Sequence, residues 1–159
     1  MALGRALSAA IVGVTATIVD VEANVGPGLP RIQIVGLADT AISESRDRMK
    51  TAVANSQLHW PKTKVVVSLS PASMPKAGSH FDVAMCLAIL TASSTDPLVR
   101  QRLSETVLLG EVGLDGSLRP VAGVLPVLMA ARRAGLRRVI VPQGNAAEAA
   151  LIEVPVDQK

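Results

Sequence analysis

The chain has 159 residues, 49% of them hydrophobic, with 16 Lys and Arg against 13 Asp and Glu and a formal net charge of +3. That length and apolar content suit one packed domain and exclude a disordered or low-complexity chain, while the mild basicity permits an anionic partner without demanding one. One cysteine, Cys86, excludes an internal disulfide framework, and no run of 18 apolar residues predicts a membrane span.

MALGRALSAAIVGV has one Arg and a short apolar stretch, as a signal peptide would. The pattern continues into TATIVDVEANV with strand-like alternation, so the segment reads as folded protein. Residues 8–25 predict one long strand or a hairpin broken near Gly13, and GPGLP (26–30) a turn. RIQIVG (31–36) predicts a second strand. Residues 39–55 then turn helical, with Asp39 or Thr40 as cap and Ile42, Met49, Ala52 and Val53 on one face. Glu44 and Arg48 fall on the other, acid first, four apart.

KVVVSLSP (64–71) predicts a strand, and a loop leads to Gly78. Asp82 caps a helix through about Ser93 that is apolar nearly all round and therefore central. Residues 105–120 predict a hairpin turning at Asp115-Gly116. Residues 121–135 predict a helix with Gly135 as C′, RRVIVP a strand, and NAAEAALIEV a short helix capped by Asn145. The content is α/β (α+β) with a mixed β-sheet and packed helices, in one domain over 1–159. The chain stops at VDQK without a domain-closing signal, which predicts a piece of something longer.

NVGPGLP is glycine-rich, but no GK[ST] follows, so it cannot cradle phosphates as a P-loop does. His59 and His80 have no second His or Cys at ligand spacing, and read as solvated loop histidines. Ser79, in PKAGSHFD, would need an oriented base to act as a nucleophile. His80 is adjacent and poorly aimed, Lys76 in the same loop reads as solvent-exposed, and no lysine occurs between Ala77 and Gln158. Cys86 reads as a buried apolar thiol. Arg132, Arg133, Arg137 and Arg138 bracket Gly135 at a helix end, where they complement the dipole and could also meet phosphates. The near-absence of aromatic residues argues against base stacking.

Two stretches, IVGLADTAISESRDRMKTAVANSQLHWP and KVVVSLSPASMPKAGSHFDVAMCLAILTAS, with the VLLGEVGLDGSLRPVAGVLPVLMAARRAG that follows, closely resemble the start of the ComM/YifB family of magnesium-chelatase-like AAA+ ATPases. The resemblance spans nearly the whole chain. It implies an N-terminal domain with the fold of the Lon proteolytic domain, followed by an AAA+ module absent from this chain. ATP and Mg would belong to that module and no cofactor or metal to this domain.

The family resembles hexameric DNA motors, branch-migration helicases in natural transformation, so the implied partners are the chain's own AAA+ module, neighbouring subunits and DNA, in the cytoplasm and away from membranes. Lon-like loops read PKDGPSAG. Here PKAGSHFD puts His80 at the serine position with Ser79 one residue early, and the lysine position reads Leu125. The resemblance is thus to a scaffold whose catalytic pair has degenerated. The domain role it implies is assembly or contact with DNA or a partner through Arg132, Arg133, Arg137, Arg138, Arg46 and Arg48. A cryptic serine peptidase and an autonomous DNA-binding module stay open as alternatives, whereas the chain offers no porphyrin or metal ligands for chelation.

Overall fold

The computed structural model describes residues 2–71, 74 and 76–152. The loop residue Pro75 and the end of the segment predicted as helix at 145–154 lie outside the described residues. β1 (Ala2–Val12) and β2 (Thr15–Gly26) form an antiparallel hairpin, paired from Ala2↔Val25 to Val12↔Thr15. It turns at Gly13, with φ 62°, as the break in alternation predicts. β3 (Arg31–Val35), α1 (Asp39–Asn55) and β4 (Lys64–Ser70) follow. β4 pairs antiparallel with β2 and parallel with β3.

A 3₁₀ turn at Ser79–Phe81 leads into α2 (Asp82–Thr91), then α3 (Pro97–Ser104) and β5 (Thr106–Leu108). β6 (Glu111–Val112) and β7 (Leu118–Arg119) make a separate two-stranded ribbon. α4 (Val124–Arg133), β8 (Arg138–Ile140) and α5 (Ala146–Ala149) complete the described chain. The main sheet runs β3-β4-β2-β1-β5-β8, with β5 parallel to both β1 and β8.

Period-two alternation sends the central strands' side chains to two cores. Ala6 and Ala10 of β1, with Val19, Val21 and Ala23 of β2, face α1 and α2. Leu7 and Ala9 of β1, with Ala16 of β2, face α4. The sheet is therefore a filled middle layer, and α2 is buried nearly all round because it lies centrally on one face. Phe81, the only phenylalanine, is fully buried at the entry to α2.

Several local expectations give way to longer-range ones. The cap position of α1 is Ala38, with no side-chain cap from Asp39 or Thr40. Asn145 does not cap α5; its amide clamps Val121, accepting from the backbone N–H at 3.0 Å and donating to the carbonyl at 2.9 Å. The predicted 105–120 hairpin is shorter than expected, because Thr106–Leu108 joins the main sheet between β1 and β8 instead. α3 is an addition to the predicted elements, although Asp96-Pro97 carries its start signal. The Asp96 carboxylate accepts from Leu98 N at 2.9 Å, and proline sits in the first turn. Gly135, with φ 74°, follows α4 as expected.

Candidate functional site

The loop after β4, the 3₁₀ turn and the loop entering α4 converge on one cleft. Gly78, Ser79 and His80 form one wall, and residues 120–123 form the other, with Ile11 and Gly13 from the β1–β2 turn. The cleft encloses about 470 Å³. Gly78 has φ 114°, and a Cβ there would lie 2.7 Å from His80 Nδ1, so the loop can turn this tightly only with glycine. The carbonyl of His80 accepts from Gly110 N–H at 3.1 Å, and the carbonyl of Gly110 accepts from Val83 N–H at 3.2 Å, which pins the turn to the end of β5.

His80 is buried rather than solvated, correcting the expectation from its loop position. Its Nε2 lies 2.8 Å from the Ala9 carbonyl, which can only accept, so Nε2 carries the proton. Burial is the main influence and holds the imidazole pKa below its free value of 6.5, against smaller upward pulls from the Ala9 hydrogen bond and the Asp82 charge. The unfolded chain therefore takes up the proton more readily. The contribution of neutral His80 to stability is intact above pH 6.5 and is lost as the pH falls through the depressed folded value. His80→Gln should flatten this acid limb when urea midpoints are measured on either side of pH 6.5. An unchanged limb would assign it to another group.

Lys76 is also a correction. It is buried, with 4% of its surface exposed. Its ammonium donates to the carbonyl of Pro71 and to that of Met74, the latter at 2.9 Å. Burial lowers its pKa, but both hydrogen bonds are to backbone acceptors of its own loop. Ser79 Oγ instead donates to the Glu111 carboxylate at 2.5 Å. A carboxylate is a much weaker base than a free amine or imidazole. Leu125, half-buried in the first turn of α4, is not on the cleft wall. The structure thus gathers Ser79 and His80 at one cleft, but among the described residues Ser79 is hydrogen-bonded to Glu111 and to no amine or imidazole.

Next to this cleft lies a buried polar junction. Asp82, fully buried, accepts from Ser45 Oγ at 2.8 Å, Arg48 Nε at 2.7 Å and Val112 N–H at 3.2 Å. The Asp82 hydrogen bond raises the Arg48 pKa, against desolvation and with help from the charges of Asp82, Glu111 and Glu44. Asp82 is therefore not a helix cap but the tie between α1, α2 and β6. Arg48 is likewise not on a solvated face. It is committed inward, with Glu44 only an outer neighbour at 3.9 Å. Sequence reasoning missed this junction because its partners lie 30 to 37 positions apart.

Arg132, Arg133, Arg137 and Arg138 are exposed around the end of α4 and the start of β8, at one edge of the sheet. Arg46 is half-buried near the opposite edge. The six arginines expected to meet a partner therefore do not form one surface. Burial pushes the Cys86 thiol up to about 12, with the Asp82 charge adding to it, so this thiol is unreactive. Among the described residues, no group of three or more His, Cys, Asp or Glu is placed to hold a metal ion, and no helix is long and apolar enough to cross a membrane.

The family model described as subunit ChlI of Mg-chelatase matches residues 21–145. The chain belongs to the magnesium-chelatase-like family of ComM and YifB. It is 48% identical over 153 residues to an uncharacterized protein of Mycobacterium tuberculosis, covering 96% of this chain and 30% of that protein. It is 37% identical to the YifB protein of Escherichia coli and 36% identical to the competence protein ComM of Haemophilus influenzae. Each match covers 96% of this chain and 29% of the relative. The chain thus spans less than a third of the length of these ComM/YifB relatives. A more distant match, 30% identical, is to the Lon protease of Mycolicibacterium smegmatis, over 97% of this chain and 20% of that enzyme. The mixed α/β fold and the Lon-like relationship expected of a ComM/YifB chain are both present.

Proposed function

We propose that this chain is a non-catalytic, Lon-like domain of a ComM/YifB-type ATPase. It acts by contact, in assembly of the ring or placement of DNA, and does no peptide chemistry. The whole protein is then a cytoplasmic hexameric DNA motor whose ATP and Mg are held by an AAA+ module outside residues 1–159. The name of the Haemophilus influenzae relative, a competence protein, supports a role in DNA uptake or processing.

One observation supports the non-catalytic reading: Ser79 Oγ donates to the Glu111 carboxylate, and among the described residues no amine or imidazole accepts from it. Lys76 is tied to carbonyls of its own loop, and the Nε2–H of His80 to the Ala9 carbonyl. A carboxylate is a poor base for a serine hydroxyl at neutral pH, where an oriented imidazole or amine is the usual activator. A fold shared with a protease does not supply that. A fluorophosphonate probe should leave the purified chain unlabelled. Stoichiometric labelling that disappears in Ser79→Ala would overturn this reading and establish a peptidase.

A further inference from the structure

A second cleft, of about 710 Å³, opens between the start of β3, the outer face of α1 and the loop 58–62. Arg31, Arg46, Lys50, His59 and Lys62 line it together with Trp60, and no carboxylate does. Arg31, Lys50, His59 and Lys62 are exposed. The ion pairs among the described residues are Arg5–Asp20 and those of Arg48 with Glu44 and Asp82, so the four Arg and Lys of this cleft are unpaired there. The chain carries only 16 Lys and Arg, and four of them converge around its single tryptophan. Like charges gathered without acids repel one another, and an anionic ligand relieves that repulsion.

Trp60 is partly buried against the main core and also lines the cleft, so it offers a held ring rather than a swinging one. An aromatic surface beside cations suits a flat ring joined to phosphates. A duplex hides its base faces in its own stack, whereas a single strand exposes them. The positive surface also continues past the cleft. Lys64, exposed, is in register with Arg31 across β3 and β4, at the edge of the sheet. A free anion would leave that extension unused, but a polymer would follow it.

We propose that the cleft formed by Arg31, Arg46, Lys50, His59, Trp60 and Lys62 binds single-stranded nucleic acid, with a base stacked on Trp60 and the adjoining phosphates on the cations. This deepens the DNA contact in the function proposed above and moves it from the arginines around Gly135 to the β3 edge. It also revises the expectation that scarce aromatic residues argue against stacking, because one tryptophan suffices when the cations surround it.

The test is a titration of the 159-residue chain with labelled oligothymidylate of about 16 nucleotides at low salt. Trp60 fluorescence reads the site directly, since no other tryptophan contributes, and anisotropy of the label reads total binding. Saturable quenching is expected. The double variant R46E/K50E should weaken binding about ten-fold or more and reduce the log–log salt slope by about 0.7 for each phosphate it no longer neutralises. Trp60→Leu should weaken it about five-fold or more. R132E/R133E should leave the affinity unchanged. Circular dichroism confirms folding of each variant, and if Trp60→Leu does not fold, the charge variant with Trp60 intact still decides.

Absence of quenching, or full affinity in R46E/K50E, would overturn the proposal. Equal binding of a polyglutamate peptide would replace it with an acidic protein partner. Pyrophosphate binding as tightly as the strand would replace it with a free-anion site. No peptidase or motor activity enters the titration, so its failure is distinguishable from labelling of Ser79.

Discussion

Replacing Asp82 by alanine should destabilise the fold by about 3–5 kcal/mol, enough to lower the melting temperature by on the order of 10 °C. The substitution removes the only fully buried carboxylate among the described residues. It strands the Arg48 guanidinium, whose side chain is only 20% exposed, and leaves the Ser45 hydroxyl and the Val112 N–H without their acceptor. The large effect is the uncompensated charge and donors, not the net worth of the ion pair. Substituting Arg48 by methionine as well should therefore recover part of the loss. Asp20→Ala is the matching control, since it breaks the Arg5–Asp20 pair, whose side chains are 52% and 40% exposed, and should cost no more than about 1 kcal/mol. Urea unfolding of the three variants measures the difference. Equal effects of Asp82→Ala and Asp20→Ala would show that the junction is not what joins α1, α2 and β6.

Gly4→Ala should be nearly as damaging, about 3 kcal/mol or more, for a steric reason. A Cβ on Gly4 would stand 2.0 Å from the Ala88 carbonyl oxygen and 3.0 Å from Ala92 Cα. Both are backbone atoms of the α2 region and cannot swing aside as a side-chain tip could. The substitution has to push α2 off β1, and that packing brings together the buried Ala6, Ala10, Ala84 and Ala88. Retention of the wild-type urea midpoint in Gly4→Ala would mean that the helix slides along the strand at little cost.

Periodicity was legible in the chain, and little of what periodicity does not control. The β1–β2 hairpin, β3, β4, α1, α4 and the glycine after α4 all follow from alternation, helical spacing and the turn residues. The polar groups do not. Asp82 and Asn145 each sit beside a helix start, where a short polar side chain usually caps, and each serves a group far away in sequence. The partner of His80, Ala9, lies 71 positions distant, so a loop histidine and a buried one look alike locally. Lys76 departs from expectation for another reason. Its acceptors, Pro71 and Met74, are close in sequence, but a lysine turned in to nearby carbonyls and a solvated one share the same residue pattern.

The proposed degeneracy of the Lon-like site rests on the family resemblance, which sets His80 and Leu125 at the positions of the catalytic pair. The basic cleft was not legible in the sequence. Its residues come from three separate segments, and only the folded chain brings Arg31, Lys50 and Lys62 to one tryptophan.

The strand order also fixes when the architecture can be finished during translation. One flank of β1 is satisfied at once by β2, the next strand to be made. Its other flank pairs at Leu7 with Val107, one hundred residues later. Until that stretch has been made, β1 keeps an unzipped side, and the growing polypeptide must carry it through the hundred residues between.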